Sequence, residues 1–333
     1  MMGASCEDMS EYPAETFLDI PWWCENYALM SGDPNSRISV FYGSGRWHGD
    51  LSVWREIVAV NLPDGRTVFA KGFGRRGDDK GPGGAFAKLD VLEDGALFRL
   101  TYDGPMWQST NAELLAHGFR DGATRRGRLD LSFRGVAPVW NMNGDSAAAA
   151  DIAGALHVEQ IGAVNGSFEF DGQTHALVDG YSIRDHSRGP RQPSAYLGSC
   201  WASGYCAGSR TGYHVYAMSL RDRDGVNMSN GVVVKGDRLY PAQVISVTVP
   251  DNLDGVQQLL RVVLRSELGD TTIVASERIA NVVTGMIAPY DTVVGGRAGQ
   301  PSAAIVDGLV RIEIDGEPGY GWSELGFAPE PLA

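Results

Sequence analysis

The stretch GYSIRDHSRGPR, residues 180–191, places Asp185 and His186 side by side among Arg184, Arg188 and Arg191. An imidazole exchanges protons near neutral pH, and a carboxylate beside it can orient and charge it, so these residue types suit acid-base work. Along an extended strand the side chains alternate, which sends Arg184 and His186 to one face and Asp185 to the other until Gly189-Pro190 interrupts the ladder. A bulge would instead let Asp185 and His186 meet. The bland alternative is a junction between two domains, with Asp185 paired to Arg184, Arg188 or Arg191. We assign Arg184 and Arg191 to structural ion pairs and His186 to chemistry.

Adding water to an apolar alkene, or removing it, needs a proton donor and a wall that tolerates cationic character while excluding bulk water. Glu25, set in WWCENY among aromatic residues, and Asp185 are the leading carboxylates for the donor. Burial would hold such a carboxyl protonated. Trp22, Trp23, Tyr27, Trp47, Trp54, Trp107, Trp140, Trp201, Tyr213 and Tyr216 supply aromatic faces for the wall.

Cofactor signatures are missing. GSGRWHG (43–49) and GFGRRGDDKGPGG (72–84) are rich in glycine but lack the strand-then-helix setting of a phosphate cradle, and they read as loops. The six histidines form no His-x-His or His-x-x-x-His pair, so no metal site is expected. No Gly-x-Ser-x-Gly elbow occurs. Any chemistry is therefore expected to need no cofactor.

A net charge of -13, with no Lys/Arg-rich run, argues against nucleic acid and anionic membrane surfaces as partners. The N-terminus lacks a basic start followed by an apolar stretch, and no membrane-length apolar run occurs, so a soluble, cytoplasmic protein is expected. Four cysteines, Cys6, Cys24, Cys200 and Cys206, contain no Cys-x-x-Cys pair and read as free thiols. Whether Cys200 and Cys206 pair, and whether the chain forms a homodimer, are left open.

These residues must be positioned by strands. RLDLSFR (128–134), GSFEFDG (166–172), AQVISVTV (242–249) and LVRIEIDG (309–316) alternate with period two. Asp-Gly turns at 64–65, 94–95, 171–172, 224–225 and 315–316 suit tight hairpins. Helical patterns are confined to TNAELLAHGF (110–119) and DSAAAADIAGAL (145–156), each a turn or two. The chain of 333 residues exceeds what one core usually organises. The pattern predicts an antiparallel all-β protein of two domains, built as barrels or curved sandwiches.

Three stretches carry a family resemblance. RDHSRG resembles the Asp-His-x-Trp-Gly signature of the AttH and carotenoid 1,2-hydratase superfamily of double lipocalin-like proteins, with Arg188 where the signature has Trp. WWCENYALMSGDPNSRISVFYGSGR (22–46) is similar to the opening of members of this group, and DGEPGYGWSELGF (315–327) to their closing Gly-Tyr-Gly-x-x-Glu. The resemblance implies two lipocalin-like β domains in tandem, 1–180 and 181–333, with a ligand pocket near their junction.

It also implies hydration or cyclisation of an isoprenoid or related apolar molecule, with His186 in a proton-handling site. Tyr213 stands where the family has Tyr-x-Asp, here Tyr213-His214-Val215. The candidate catalytic set is His186, Asp185, Glu25 and Tyr213. Arg188, Trp23, Tyr27, Trp47, Trp201 and Tyr216 are the candidate substrate contacts. Competing readings are a carrier of an apolar ligand that performs no reaction, and a pericyclase that folds its substrate with Arg188 and Tyr213 as hydrogen-bond donors.

Overall fold

The computed structural model describes residues 10–17, 19–47, 49–76, 80–117, 124–143, 150, 154–190, 196–220, 228–249, 260–287, 291–294 and 302–327. Two compact units emerge. The first holds described residues 10–60, 68–108 and 124–190, and the second 61–67, 109–117 and 196–327.

The first unit contains β1 (Trp23–Asp33), β2 (Ile38–Trp47), β3 (Val53–Asn61), β4 (Arg66–Arg75), β5 (Ala87–Glu93), β6 (Leu97–Thr110), β7 (Arg125–Gly135), β8 (Trp140–Asn141), β9 (Leu156–Phe170) and β10 (Gln173–Pro190). Hydrogen bonding runs β10-β1-β2-β3-β4-β6-β7-β9 and closes through β9–β10, so eight strands form a barrel, with β5 and β8 attached. β10 runs unbroken through positions 180 and 181.

The second unit contains β11 (Tyr196–Cys206), β12 (Thr211–Leu220), β13 (Met228–Lys235), β14 (Arg238–Thr248), β15 (Arg261–Ser266), β16 (Gly269–Ile287), β17 (Asp291–Val294), β18 (Ser302–Ile314) and β19 (Glu317–Phe327). The order β15-β14-β13-β12-β11-β19-β18-β16 closes through β15–β16 into another eight-stranded barrel. The architecture is all-β, two antiparallel lipocalin-like barrels in tandem.

The turn chemistry explains the hairpins. Asp171-Gly172 has φ of 52° and 77°, and Asp315-Gly316 has 50° and 84°. Two positive φ values in a two-residue loop match the right-handed twist of the flanking strands. Asp224-Gly225 lies outside the described residues. The one described helix, α1 (Asn111–His117), opens on a capping box in which Glu113 N donates to Thr110 Oγ1 and Thr110 N donates to Glu113 Oε2, both at 3.2 Å. Most of 145–156 lies outside the described residues.

Of the two glycine-rich stretches expected as loops, the first lies largely in β2, whereas the second starts in β4 at 72–75 and its described residues beyond 75 lie outside the named strands. A Cβ at Gly45 would sit 2.5 Å from Asn26 Oδ1, and one at Gly74 would sit 2.3 Å from the backbone of Gly84. Glycine serves close approach there rather than mobility.

Burial on β7 alternates: Gly127, Leu129, Leu131 and Phe133 are buried, and the residues between them exposed. Register carries this inward face from Phe133 to Val164, along β9 to Gln160 and Val158, then across to Arg184 and His186 on β10, and on to Leu29 and Tyr27 on β1. The motif is thus split by strand alternation. His186 and Arg184 face the barrel interior, and Asp185 faces outward.

Gly189 closes the motif with φ of 130°, and a Cβ there would lie 2.4 Å from Ala155 N. Gly189→Ala should cost about 2–4 kcal/mol from strain and displacement of β9, read as a lowered urea midpoint for the first unit. An unchanged midpoint would contradict the register at the end of β10.

Candidate functional site

The interior of the first barrel is organised around Glu25, which is fully buried. Arg46 meets Glu25 Oε2 at 2.6 Å, Arg188 Nε donates to Oε1 at 2.9 Å, and Ala14 N donates to both oxygens at 3.2 Å. His186 Nε2 lies 3.0 Å from Glu25 Oε1, and His186 Nδ1 lies 3.1 Å from Glu11 Oε2. Arg184 Nη1 contacts Glu11 Oε1 at 2.5 Å, and its Nε donates to Gln160 Oε1 at 2.9 Å. Tyr27 stacks on His186, centroids 4.0 Å apart, and its hydroxyl donates to Glu11 O at 3.0 Å.

The network fastens residues 11–14 to the barrel. Arg188 Nη2 donates to Tyr12 O at 2.9 Å, and Arg46 Nη2 donates to Ala14 O. Arg46 also lies 4.5 Å over the Trp54 ring, and Arg184 lies 4.6 Å over Phe98. Guanidinium planes on aromatic faces are a low-cost way to bury charge.

Electrostatics follow from the contacts. Burial alone would raise the Glu25 carboxyl, but the His186 hydrogen bond and the charges of His186, Arg188 and Arg46 overcome it and bring Glu25 to about 2. Burial likewise opposes ionisation of Glu11, and Arg184 and His186 reverse it. Burial would lower His186, but its hydrogen bonds to Glu11 and Glu25 raise it above the ordinary value. Glu25, expected as a protonated donor, is therefore an ionised acceptor. His186, expected to serve a cavity, has both ring nitrogens committed to carboxylates.

Asp185 turns away from His186, to the other face of the strand. On the outward face it is in direct hydrogen-bond contact with Nε2 of His157 on β9, and Glu159 Oε1 lies 4.0 Å from that nitrogen. One donor atom from each of His157, Glu159 and Asp185 falls within 4.8 Å of the others, a grouping that could hold a metal ion. Register aligns Trp140, Glu159, Asp185, Ala28 and Gly43 across β8, β9, β10, β1 and β2, so a tryptophan and small residues flank the dyad.

The remaining predicted residues scatter. Arg188 donates to Glu25 and to the Tyr12 carbonyl. Trp23 is buried on β1 against Phe17, centroids 6.0 Å apart. Of Trp47 only the backbone is described, paired with Cys24. Arg191 lies outside the described residues. Trp201, Tyr213 and Tyr216 belong to the second unit, where Tyr213 is fully buried in the apolar core with Val215, Val310 and Ile312. Cys24, Cys200 and Cys206 are free thiols, and burial pushes Cys200 up to about 12.

Sequence reasoning missed Glu11, Arg46, His157 and Glu159. The pattern His157-x-Glu159 within a strand was readable as two polar groups on one face. Nothing in the chain announced that Glu11 would meet a histidine 175 positions away.

Two eight-stranded barrels with a buried charge cluster in one and an imidazole–carboxylate pair on its wall define a lipocalin-like double-barrel protein. The chain belongs to the family described as domain of unknown function DUF7064, whose model matches residues 8–328. Solved structures share its fold. An AttH-type protein from Nitrosomonas europaea matches at TM-score 0.54 and 14% identity, covering 94% of this chain and 97% of that one. CghA, also solved with Sch210972, matches at 0.55 and 9%, covering 94% and 90%. Kievitone hydratase from Nectria haematococca matches at 0.52 and 11%, covering 92% and 89%. No curated protein matches the sequence. No helix among the described residues is long and apolar enough to cross a membrane.

Glu25 contributes stability that is fully present above its ordinary value of 4.5 and lost as pH falls toward about 2. That contribution is about 3 kcal/mol. His186 contributes in the opposite sense: present below 6.5, lost as pH rises through its raised folded value. Glu25→Gln should lose about 3–5 kcal/mol at neutral pH, because it strands buried cations, and should flatten the acid limb of the stability curve. A wild-type acid limb retained in this variant would refute the assignment.

Proposed function

We propose that the protein is a cofactor-independent hydratase/dehydratase or cyclase acting on an apolar terpenoid, steroid or polyketide-like small molecule, with His157 and Asp185 as its acid-base pair. The observation that carries this reading is the direct contact of His157 Nε2 with Asp185 beside Glu159. A carboxylate that bonds one imidazole nitrogen fixes the ring's orientation and stabilises its protonated form. Asp185 is partly exposed, its side chain at 16%, whereas His186 is at 0%. The presence of a protein named as a hydratase among the structures of this fold supports the reaction class.

In hydration, the His157 imidazolium gives its proton to one alkene carbon, water bonds the other carbon as cationic character develops there, and the neutral imidazole takes up the proton that the bound water releases. Atoms balance with the catalyst unchanged, and dehydration is the reverse. Asp185 holds the ring, and Glu159 lies beside it. Trp140, aligned with Glu159, offers an aromatic face to an apolar substrate. The Glu11–His186–Glu25 network holds β1 and β10 in register beneath the pair.

Incubating the protein with apolar unsaturated candidates in ¹⁸O water should yield labelled product by mass spectrometry. His157→Ala should reduce incorporation about 100-fold or more, the usual scale for an acid-base group. Asp185→Asn should reduce it and shift the pH profile. Binding without label would favour a carrier. Treatment with EDTA should leave the rate unchanged; a loss restored by one divalent ion would reassign His157, Glu159 and Asp185 to a metal.

A further inference from the structure

A second polar array lies in the other unit. Register places Tyr216 on β12, Trp201 on β11, Glu324 on β19 and Asp307 on β18 in one row across four adjacent strands. The neighbouring row holds His214, Ser203, Trp322 and Leu309. Both rows face away from the apolar core formed by Cys200, Ala202, Tyr213, Val215, Val310 and Leu325. A single acid inside the apolar run AAIVDGLV (303–310) was the sequence signal for it.

Asp307 is fully buried, and its Oδ1 accepts a hydrogen bond from Trp322 Nε1 at 2.9 Å. Its Oδ2 has no hydrogen-bond partner among the described residues. An unsatisfied buried oxygen is costly and calls for an explanation. A protonated carboxyl resolves it in part, since Oδ2 then carries an O–H that needs an acceptor. Desolvation raises Asp307 to about 7, against the Trp322 hydrogen bond and the Arg278 charge, which lower it. Arg278 is the charged group that acts on it, and Glu324, Tyr216 and His214 are the other titratable groups on the same face of the sheet. Desolvation drives His214 to about 3 and brings Arg278 to about 10, so near pH 7 the first is neutral and the second cationic.

We infer that this row binds an apolar, ring-bearing or polyene small molecule carrying a carbonyl or hydroxyl oxygen, with Asp307 as the hydrogen-bond donor and Trp201 and Tyr216 as the aromatic wall. Glu324, between Trp201 and Asp307, is the partly exposed member of the row. The site shares only its apolar ligand class with the proposed function. It is tested by binding rather than turnover, so either can fail alone.

The probe is 6-propionyl-2-dimethylaminonaphthalene, a neutral aromatic ketone whose emission reports hydrogen bonding to its carbonyl. The full chain should bind it at pH 5.5 with energy transfer from tryptophan. Affinity should fall about 30-fold at pH 8.5, the change expected when only the form protonated with a value of about 7 binds. Asp307→Asn keeps a donor that cannot ionise, so it should bind equally at both pH values. Asp307→Leu should bind weakly at both, and Trp201→Ala should lose about tenfold or more. Wild-type affinity that is the same at both pH values, or an Asp307→Asn variant that keeps the wild-type pH dependence, would overturn the inference. The second outcome decides the matter even if Asp307→Leu fails to fold.

Discussion

Taking a carboxylate out of water costs several kcal/mol unless its oxygens are met by charge and hydrogen bonds, and Glu25 is where the first barrel meets that constraint. Its two oxygens receive Arg46, Arg188, His186 and the Ala14 amide. Glu11 completes the set by capping the other side of the imidazole and taking Arg184. Each member is satisfied only while the others stay in place. The cluster therefore acts as one unit that joins β1, β2 and β10 to residues 11–14. Arg46 and Arg188 also donate to the backbone carbonyls of Tyr12, Ala14 and Leu51, so charge and backbone order are coupled.

Strand alternation lets one segment of β10 carry two kinds of chemistry. Inward, Arg184, His186 and Arg188 belong to a closed ionic array. Outward, Asp185 meets His157 on the neighbouring strand, beside Glu159 and in line with Ala28 and Gly43. The inner array ties Glu11, Glu25, Arg46, Arg184, His186 and Arg188 together by ion pairs and hydrogen bonds, and it holds the backbone from which the outer pair projects. The second barrel uses the same division differently. Its inner face is apolar, and its outward row carries the buried acid Asp307 with Trp201, Tyr216 and Trp322 nearby.

Much of the fold was legible because its determinants are local. Period-two runs became β7, β9, β14 and β18, and Asp171-Gly172 and Asp315-Gly316 turn their hairpins with the expected positive φ. The split of Asp185 from His186 across the strand was also readable from alternation. The glycine-rich run 43–49 and the start of 72–84 misled, because a glycine required for close approach inside a barrel looks in sequence like one that serves a loop. The ionisation of Glu25 misled for a different reason. Desolvation is visible as apolar neighbours, but the three cationic partners that reverse it come from β2 and from the far end of β10. Pairing of Asp185 with His157 depended on the β9–β10 register, which the hairpin turn sets only together with the bulge between Leu177 and Gly180.

The central claim is that His186 is a buried imidazolium clamped between two carboxylates, a part of the frame rather than a proton exchanger. Long-range ¹H–¹⁵N correlation spectra of histidine-labelled protein test it directly. The account predicts one imidazole with both nitrogens protonated and unchanged from pH 5 through 8, a signal lost in His186→Gln. A His186 signal that instead titrates as a neutral single tautomer across that range would contradict it.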